Sequence, residues 1–121
     1  MNKSRRKVLN IDLLSSIQEF IKVILSYRKN MNAQRFLKDC KTQDAIIYNF
    51  QMIAEIFKNL SKGLKRKYRD IAWEDWAIFG DNLIHRYYDI YQHLIWNMVK
   101  ELPSLVVKID RVVGQENKFS S

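Results

Sequence analysis

Three glycines and one proline in 121 residues leave the chain few places to reverse sharply. An all-β sandwich or barrel needs turn residues at short, regular intervals. That scarcity excludes a turn-rich β fold and leaves long helices. The apolar spacing agrees. Ile11, Leu14, Ile17, Ile21, Ile24 and Leu25 recur at three- and four-residue steps, which predicts an amphipathic helix over residues 10–27. Asn10 or Asp12 is positioned to cap it, and Arg28, Lys29 and Asn30 mark its end. A short helix over 33–38 follows Asn32. Thr42 then opens a third helix, with Asp44 in its first turn, and Ala45, Tyr48, Met52, Ile53, Ile56, Phe57 and Leu60 carry its stripe to a stop at Gly63.

Lys65, Arg66, Lys67, Tyr68 and Arg69 read as a basic connector. A fourth helix is expected over 73–101, ended by Pro103 because proline cannot donate to the helix ladder and biases Leu102 away from helical angles. A last short helix over 103–113 stops at Gly114. The expected architecture is all-α: an antiparallel bundle of four principal helices plus short ones. The length supports a single domain over 1–121, with residues 1–9 as a basic lead and 114–121 as a frayed tail. The fourth helix carries Trp76, Phe79, Leu83, Ile84, Tyr87, Ile90, Tyr91, Leu94, Ile95 and Met98, more apolar surface than one core stripe uses, so a dimer or tight partner complex is expected.

Composition narrows the function. A hydrophobic fraction of 47% excludes wholesale disorder. Cys40 is the lone cysteine, so no intrachain disulfide exists, and a single thiol suits a reducing cytosol. Apolar runs such as 45–47 and 105–107 are too short to span a membrane. Residues 1–7 are basic, but Asp12, Ser15, Ser16, Gln18 and Glu19 interrupt any signal-like stretch, so a cytoplasmic protein is expected.

Twenty-one Lys and Arg against thirteen Asp and Glu give a net charge of +8. The clusters at 3–7 and 62–69 suit phosphates, or equally a solvated surface. No glycine is followed by Lys-Ser or Lys-Thr, so there is no phosphate-binding loop. Cys40, His85 and His93 lack zinc-ligand spacing, and the two histidines lie roughly 80° apart on a helix. No metal and no cofactor is expected. One segment carries chemistry: Gly80-Asp-Asn-Leu-Ile-His85-Arg-Tyr87. His85 has Asp81 a turn before and Tyr88 and Asp89 a turn after, and an imidazole is the side chain type whose ordinary titration range suits a general acid or base. A ring that merely hydrogen-bonds Asp81 or Asp89 at a helix contact is the structural alternative. Glu55 reads as a surface or structural carboxylate, and Trp73, Trp76 and Trp96 as core or interface aromatics rather than base-stacking platforms. Lys108 and Arg111 read as a solvated helix end.

From about Ile11 to Val107 the chain resembles the HepT-like HEPN proteins, toxin partners of minimal nucleotidyltransferase antitoxins of the MntA type. The resemblance rests on an ordered set: Thr-Gln-Asp-Ala-Ile at 42–46, Ile53-Ala-Glu55, Ile71-Ala-Trp73, Asn82-Leu-Ile-His85-Arg-Tyr87, Trp96 and Glu101-Leu-Pro-Ser-Leu105. It implies a dimeric helical bundle that cuts RNA without metal, two copies of the motif Arg, four residues, His, any residue, Tyr meeting in one cleft. His85 then matches the catalytic histidine and Asp81 the polar residue after the arginine. Tyr87 matches the tyrosine that the nucleotidyltransferase modifies with AMP. Arg86, Tyr88, Lys65, Arg66, Lys67 and Arg69 are the RNA-binding candidates. The chain departs from the pattern at Gly80, where the motif arginine belongs. The departure implies a weak or inactive nuclease, an arginine restored there being expected to raise cleavage. The alternative is a non-catalytic subunit that serves the nucleotidyltransferase.

Overall fold

The computed structural model describes residues 3–83 and 88–118, with side chains described over 9–83 and 92–118. The described residues are all-α, with six helices: α1 (Lys3–Arg28), α2 (Ala33–Leu37), α3 (Cys40–Asn59), α4 (Lys62–Lys67), α5 (Trp73–Asn82) and α6 (Tyr88–Lys118). Among them, no helix is long and apolar enough to cross a membrane.

The long helices run antiparallel, as their cross-contacts show. Asn10 near the start of α1 bonds Ser61 just past the end of α3. Gln18 of α1 meets Asp110 of α6, while Phe36 beyond the other end of α1 stacks on Trp96 nearer the start of α6. On α5, Trp73 packs edge-on against Phe57, and Phe79 against Phe50, so α5 descends as α3 ascends. The core fills between them. Leu14, Ile17, Ile21 and Ile24 of α1 are fully buried, as are Ile46 and Phe57 of α3 and Val99, Leu102, Ile109 and Val112 of α6. Burying each such side chain stabilises by roughly 1.5–3 kcal/mol before entropy is counted.

Several boundaries differ from expectation, each for a local reason. Helix α1 starts at Lys3, so Asn10 caps nothing on α1. It sits buried mid-helix, its amide donating to Ser61 Oγ at 2.9 Å and its carbonyl oxygen accepting from the Ser61 N–H at 3.1 Å. Helix α3 is capped by Asp39, not Thr42, whose N–H and hydroxyl both donate to the Asp39 carboxylate. It ends at Asn59 rather than at Gly63, because Leu60 turns extended and Ser61 caps a new helix. Gly63 and the first three residues of the expected basic connector, Lys65, Arg66 and Lys67, fall inside that new helix, α4, while Tyr68 is its C-cap and Arg69 follows in the turn.

Pro103 does not end a helix. α6 runs through it and through Gly114 to Lys118. Pro103 is exposed, and the price of its missing donor is outweighed by the stripe Val99, Leu102, Leu105, Ile109, Val112, which stays buried across it. The end of α6 is tied down rather than frayed. Buried Glu116 accepts from Tyr68 Oη at 2.6 Å and from Lys67 Nζ at 2.9 Å. Burial and that bond push the Tyr68 phenol pKa well above its ordinary value.

Two carboxylates make stability acid-sensitive. The Thr42 hydroxyl and N–H hold the Asp39 carboxyl below its usual pKa, and the Arg111 guanidinium does the same for Asp70. A depressed folded pKa contributes stability above the unfolded value and loses it as pH falls through the folded one. The melting temperature is therefore expected to fall below about pH 4, and an Asp39→Asn, Asp70→Asn protein to show a flatter decline. Thermal melts between pH 7 and 3 check this; parallel curves would contradict it.

Candidate nucleic-acid interface

The groove beside the α3–α5 contact is built from three elements. Lys58 and Leu60 come from the end of α3, Ser61, Lys62, Lys65 and Arg66 from the α4 region, and Glu74 from the first turn of α5. It encloses about 670 Å³. The serine cap puts α4 across the end of α3, and the helical phase of α4 turns Lys62, Lys65 and Arg66 to one side. Of the expected RNA-binding residues, Lys65 and Arg66 line this groove. Arg69 shares a smaller recess of about 250 Å³ with Lys65, Trp73, Glu74 and Asp75. Lys67 turns away to pair with Glu116. Lys62, from the 62–69 cluster, lines the groove too, and Lys58 is a groove residue that the sequence reading missed.

The groove lies beside the first turn of α5, and one of its residues, Lys58, reaches the other end of that helix. Asp81 Oδ1 accepts from Lys58 Nζ at 2.9 Å, and Lys58 also pairs with Glu55 at 2.9 Å, so Glu55 is the surface carboxylate expected. These two hydrogen bonds raise the Lys58 pKa. Asp81 is thus committed across the helix contact. His85, Arg86 and Tyr87 lie outside the described residues, as does the side chain of Tyr88.

Gly80 has a steric explanation that its sequence reading lacked. It is buried where α5 crosses α3, and a Cβ built on it would stand 2.7 Å from the Phe50 carbonyl oxygen and overlap the Ala54 methyl. The glycine is a close-approach residue, and the two small side chains set the helix spacing. The expectation of a position open to a restored arginine is corrected: as packed, nothing larger than hydrogen fits. Pairing Gly80 with Ala54 in the sequence would have required the register of α5 on α3, which no local pattern supplies.

On the other side of α5, Ile78, Phe79 and Leu83 face Leu94 and Met98 of α6 around an apolar recess of about 310 Å³. Ile78 is 55% exposed and Leu94 43%. The single fourth helix expected over 73–101 is instead α5 and α6, which face each other across this recess; of its expected surplus, Leu94 and Met98 line the recess, Trp76, Phe79, Leu83 and Ile95 are buried in the core, and the side chains of Ile84, Tyr87, Ile90 and Tyr91 lie outside the described residues. The three tryptophans are buried, as core aromatics should be, and His93 and Cys40 are exposed. Lys108 and Arg111 pin the loop before α5 by bonding Asp70.

The fold and groove define a class: a small helical bundle with a lysine- and arginine-lined groove where the end of α3, α4 and the first turn of α5 meet. The chain belongs to the family described as ribonuclease HepT-like, whose model matches residues 17–112. It is 35% identical over 102 residues to a protein of Thermococcus cleftensis named as a probable ribonuclease HepT, covering 84% of this chain and 93% of that one. It is also 35% identical over 101 residues to a candidate RNase of Methanocaldococcus jannaschii, covering 83% and 84%. No solved structure matches.

Proposed function

We propose that this chain is an RNA endonuclease subunit of a toxin–antitoxin pair, working in the cytosol as a single-domain protein and as a homodimer. The observation that carries the reading is the family match, which spans His85 and Tyr87. In this reading the His85 imidazole takes the proton of a ribose 2′-hydroxyl or gives one to the 5′-leaving oxygen. The 2′-oxygen bonds to phosphorus as the P–O5′ bond breaks, leaving a 2′,3′-cyclic phosphate and a 5′-hydroxyl. The need for a 2′-hydroxyl restricts the substrate to RNA. The cationic groove concentrates the polyanion, and the apolar recess around Ile78 and Leu94 is the surface a second copy would cover.

The antitoxin in this reading is a nucleotidyltransferase that moves AMP from ATP to the Tyr87 hydroxyl, releasing pyrophosphate. The added phosphate brings negative charge and bulk to the motif and repels RNA. One observation favours the alternative, a non-catalytic subunit of that nucleotidyltransferase: position 80 has no room for the family arginine. RNA incubated with the chain in excess chelator separates the two. Cleavage supports the nuclease, and intact RNA supports the binding subunit. Mass spectrometry after incubation with a partner nucleotidyltransferase and ATP is expected to find AMP on Tyr87. An unmodified tyrosine would leave a purely steric antitoxin as the better account.

A further inference from the structure

Helix α4 carries three of the cations that line the groove, Lys62, Lys65 and Arg66, yet it is only six residues long. A helix that short does not hold its shape or direction by itself. Its placement must come from contacts with longer elements. We propose that Glu116, near the end of α6, is a positioning residue for the RNA groove: it fixes the last turn of α4 and so sets where Lys65 and Arg66 present their charge. This rests on the ribonuclease reading above.

The start of α4 is held by α1, whose Asn10 bonds both the N–H and the hydroxyl of the Ser61 cap. Its end is held by α6. The Glu116 carboxylate, 5% exposed, accepts from the Tyr68 hydroxyl at 2.6 Å and from Lys67 Nζ at 2.9 Å. Lys67 is the last residue of α4 and Tyr68 its C-cap, so both bonds act on the final turn, where Lys65 and Arg66 also stand. Tyr68 is itself buried, and its carbonyl oxygen accepts from the Trp73 indole N–H at 3.0 Å, next to Glu74 of the groove wall. The same residue therefore ties the α4 wall of the groove to its α5 wall. Removing the carboxylate takes this acceptor from a buried hydroxyl, and an unsatisfied buried donor favours opening of the turn that carries it. The geometry also separates position from charge. Lys67 points away from the groove to meet Glu116, so the carboxylate reaches a bound phosphate only through the placement of α4 and through its field. Neutralising it raises the net charge of +8 by one, and the field alone then predicts tighter RNA binding. Loss of position predicts the reverse.

The test uses the full chain and three variants: Glu116→Ala, Glu116→Gln and Tyr68→Phe. The first two remove the same charge, but glutamine keeps a carbonyl oxygen that can accept from Tyr68. Binding is read across salt with a labelled single-stranded 2′-O-methyl RNA, which the 2′-hydroxyl route cannot cut, and circular dichroism confirms that each variant is folded. Glu116→Ala is expected to bind about tenfold more weakly, with a salt slope smaller by about 0.7, the contribution of one single-strand phosphate contact. Glu116→Gln should recover most of the loss, and Tyr68→Phe should weaken binding in the same direction as the alanine variant. Alanine and glutamine variants that both match or exceed the native affinity would overturn the assignment, because charge alone would then account for them. Should the alanine variant fail to fold, Tyr68→Phe at native affinity overturns it instead. If the native chain neither binds nor cuts RNA, the ribonuclease reading fails by itself, and amide hydrogen exchange decides the rest. Residues 62–68 should then exchange on the order of tenfold faster in Glu116→Ala while α3 is unchanged. Unaltered exchange there overturns the positioning role.

Discussion

A Gly80→Arg protein is expected to lose folded stability and to gain no ribonuclease activity. The reason is the helix crossing. Any side chain at position 80 begins with a Cβ that overlaps the Ala54 methyl and approaches the Phe50 carbonyl oxygen to 2.7 Å, and backbone cannot step aside as a flexible side chain can. Even Gly80→Ala should cost about 1–3 kcal/mol as an overpacked contact. For a chain of this size that lowers the melting temperature by roughly 5–15 °C. The guanidinium stem of Gly80→Arg forces α5 away from α3 and unseats the Phe50–Trp76 and Phe50–Phe79 ring contacts, so loss of the cooperative transition is the expected outcome. Gly63→Ala and Gly114→Ala are the controls. Both glycines are helical and exposed, with nothing within 4 Å of an added Cβ. Each should gain up to about 1 kcal/mol from helix propensity alone. Thermal melts of the four variants check the account. A Gly80→Arg protein that melts like the native chain and cuts RNA faster would contradict it.

What could be read from residues alone divides along physical lines. Helix identity was legible because burial acts on periodicity: the α1 stripe at Leu14, Ile17, Ile21 and Ile24 is buried as its spacing demands. Helix ends were poorly legible because tertiary contacts overrode local signals. Pro103 and Gly114 should each stop a helix by local rules, yet the buried stripe on either side of Pro103 and the Glu116 bonds to Tyr68 and Lys67 carry α6 past both. Asn10 reads as a cap because its amide suits one, and it spends that amide on Ser61, 51 positions away. At the site, Lys65 and Arg66 were visible as a charge cluster, and their helical phase puts both in the groove. Lys62 stands in the same cluster, whereas Lys58 was not visible, since only the packing of α4 and α5 on α3 brings it there. Gly80 was legible as a departure from a motif but not as a packing residue. A sequence shows that a glycine breaks a motif, while its contact with Ala54 belongs to the register between two helices.

The second large effect is expected at His85. In the proposed mechanism one imidazole moves the proton of the attacking or leaving oxygen, a contribution of roughly 100- to 10,000-fold. His85→Ala should lower cleavage by that factor while leaving RNA affinity near the native value, because in the proposed reading RNA is held through the basic groove residues and not through the imidazole. His85→Gln keeps a polar side chain but cannot titrate near neutrality, and it should be as inactive as the alanine variant. A His85→Ala protein that cuts at the native rate would move the chemistry elsewhere in the molecule.

The most direct measurement concerns the substrate rather than the protein. An RNA oligonucleotide that the chain cuts at one position is resynthesised with a single 2′-deoxy nucleotide on the 5′ side of that bond, and both are incubated with the protein in excess chelator. Attack by the neighbouring 2′-hydroxyl predicts that the native oligonucleotide yields a 2′,3′-cyclic phosphate and a 5′-hydroxyl end, and that the deoxy version stays intact at that bond. Cleavage of the deoxy bond at the same rate, with a 5′-phosphate on the product, would contradict the account.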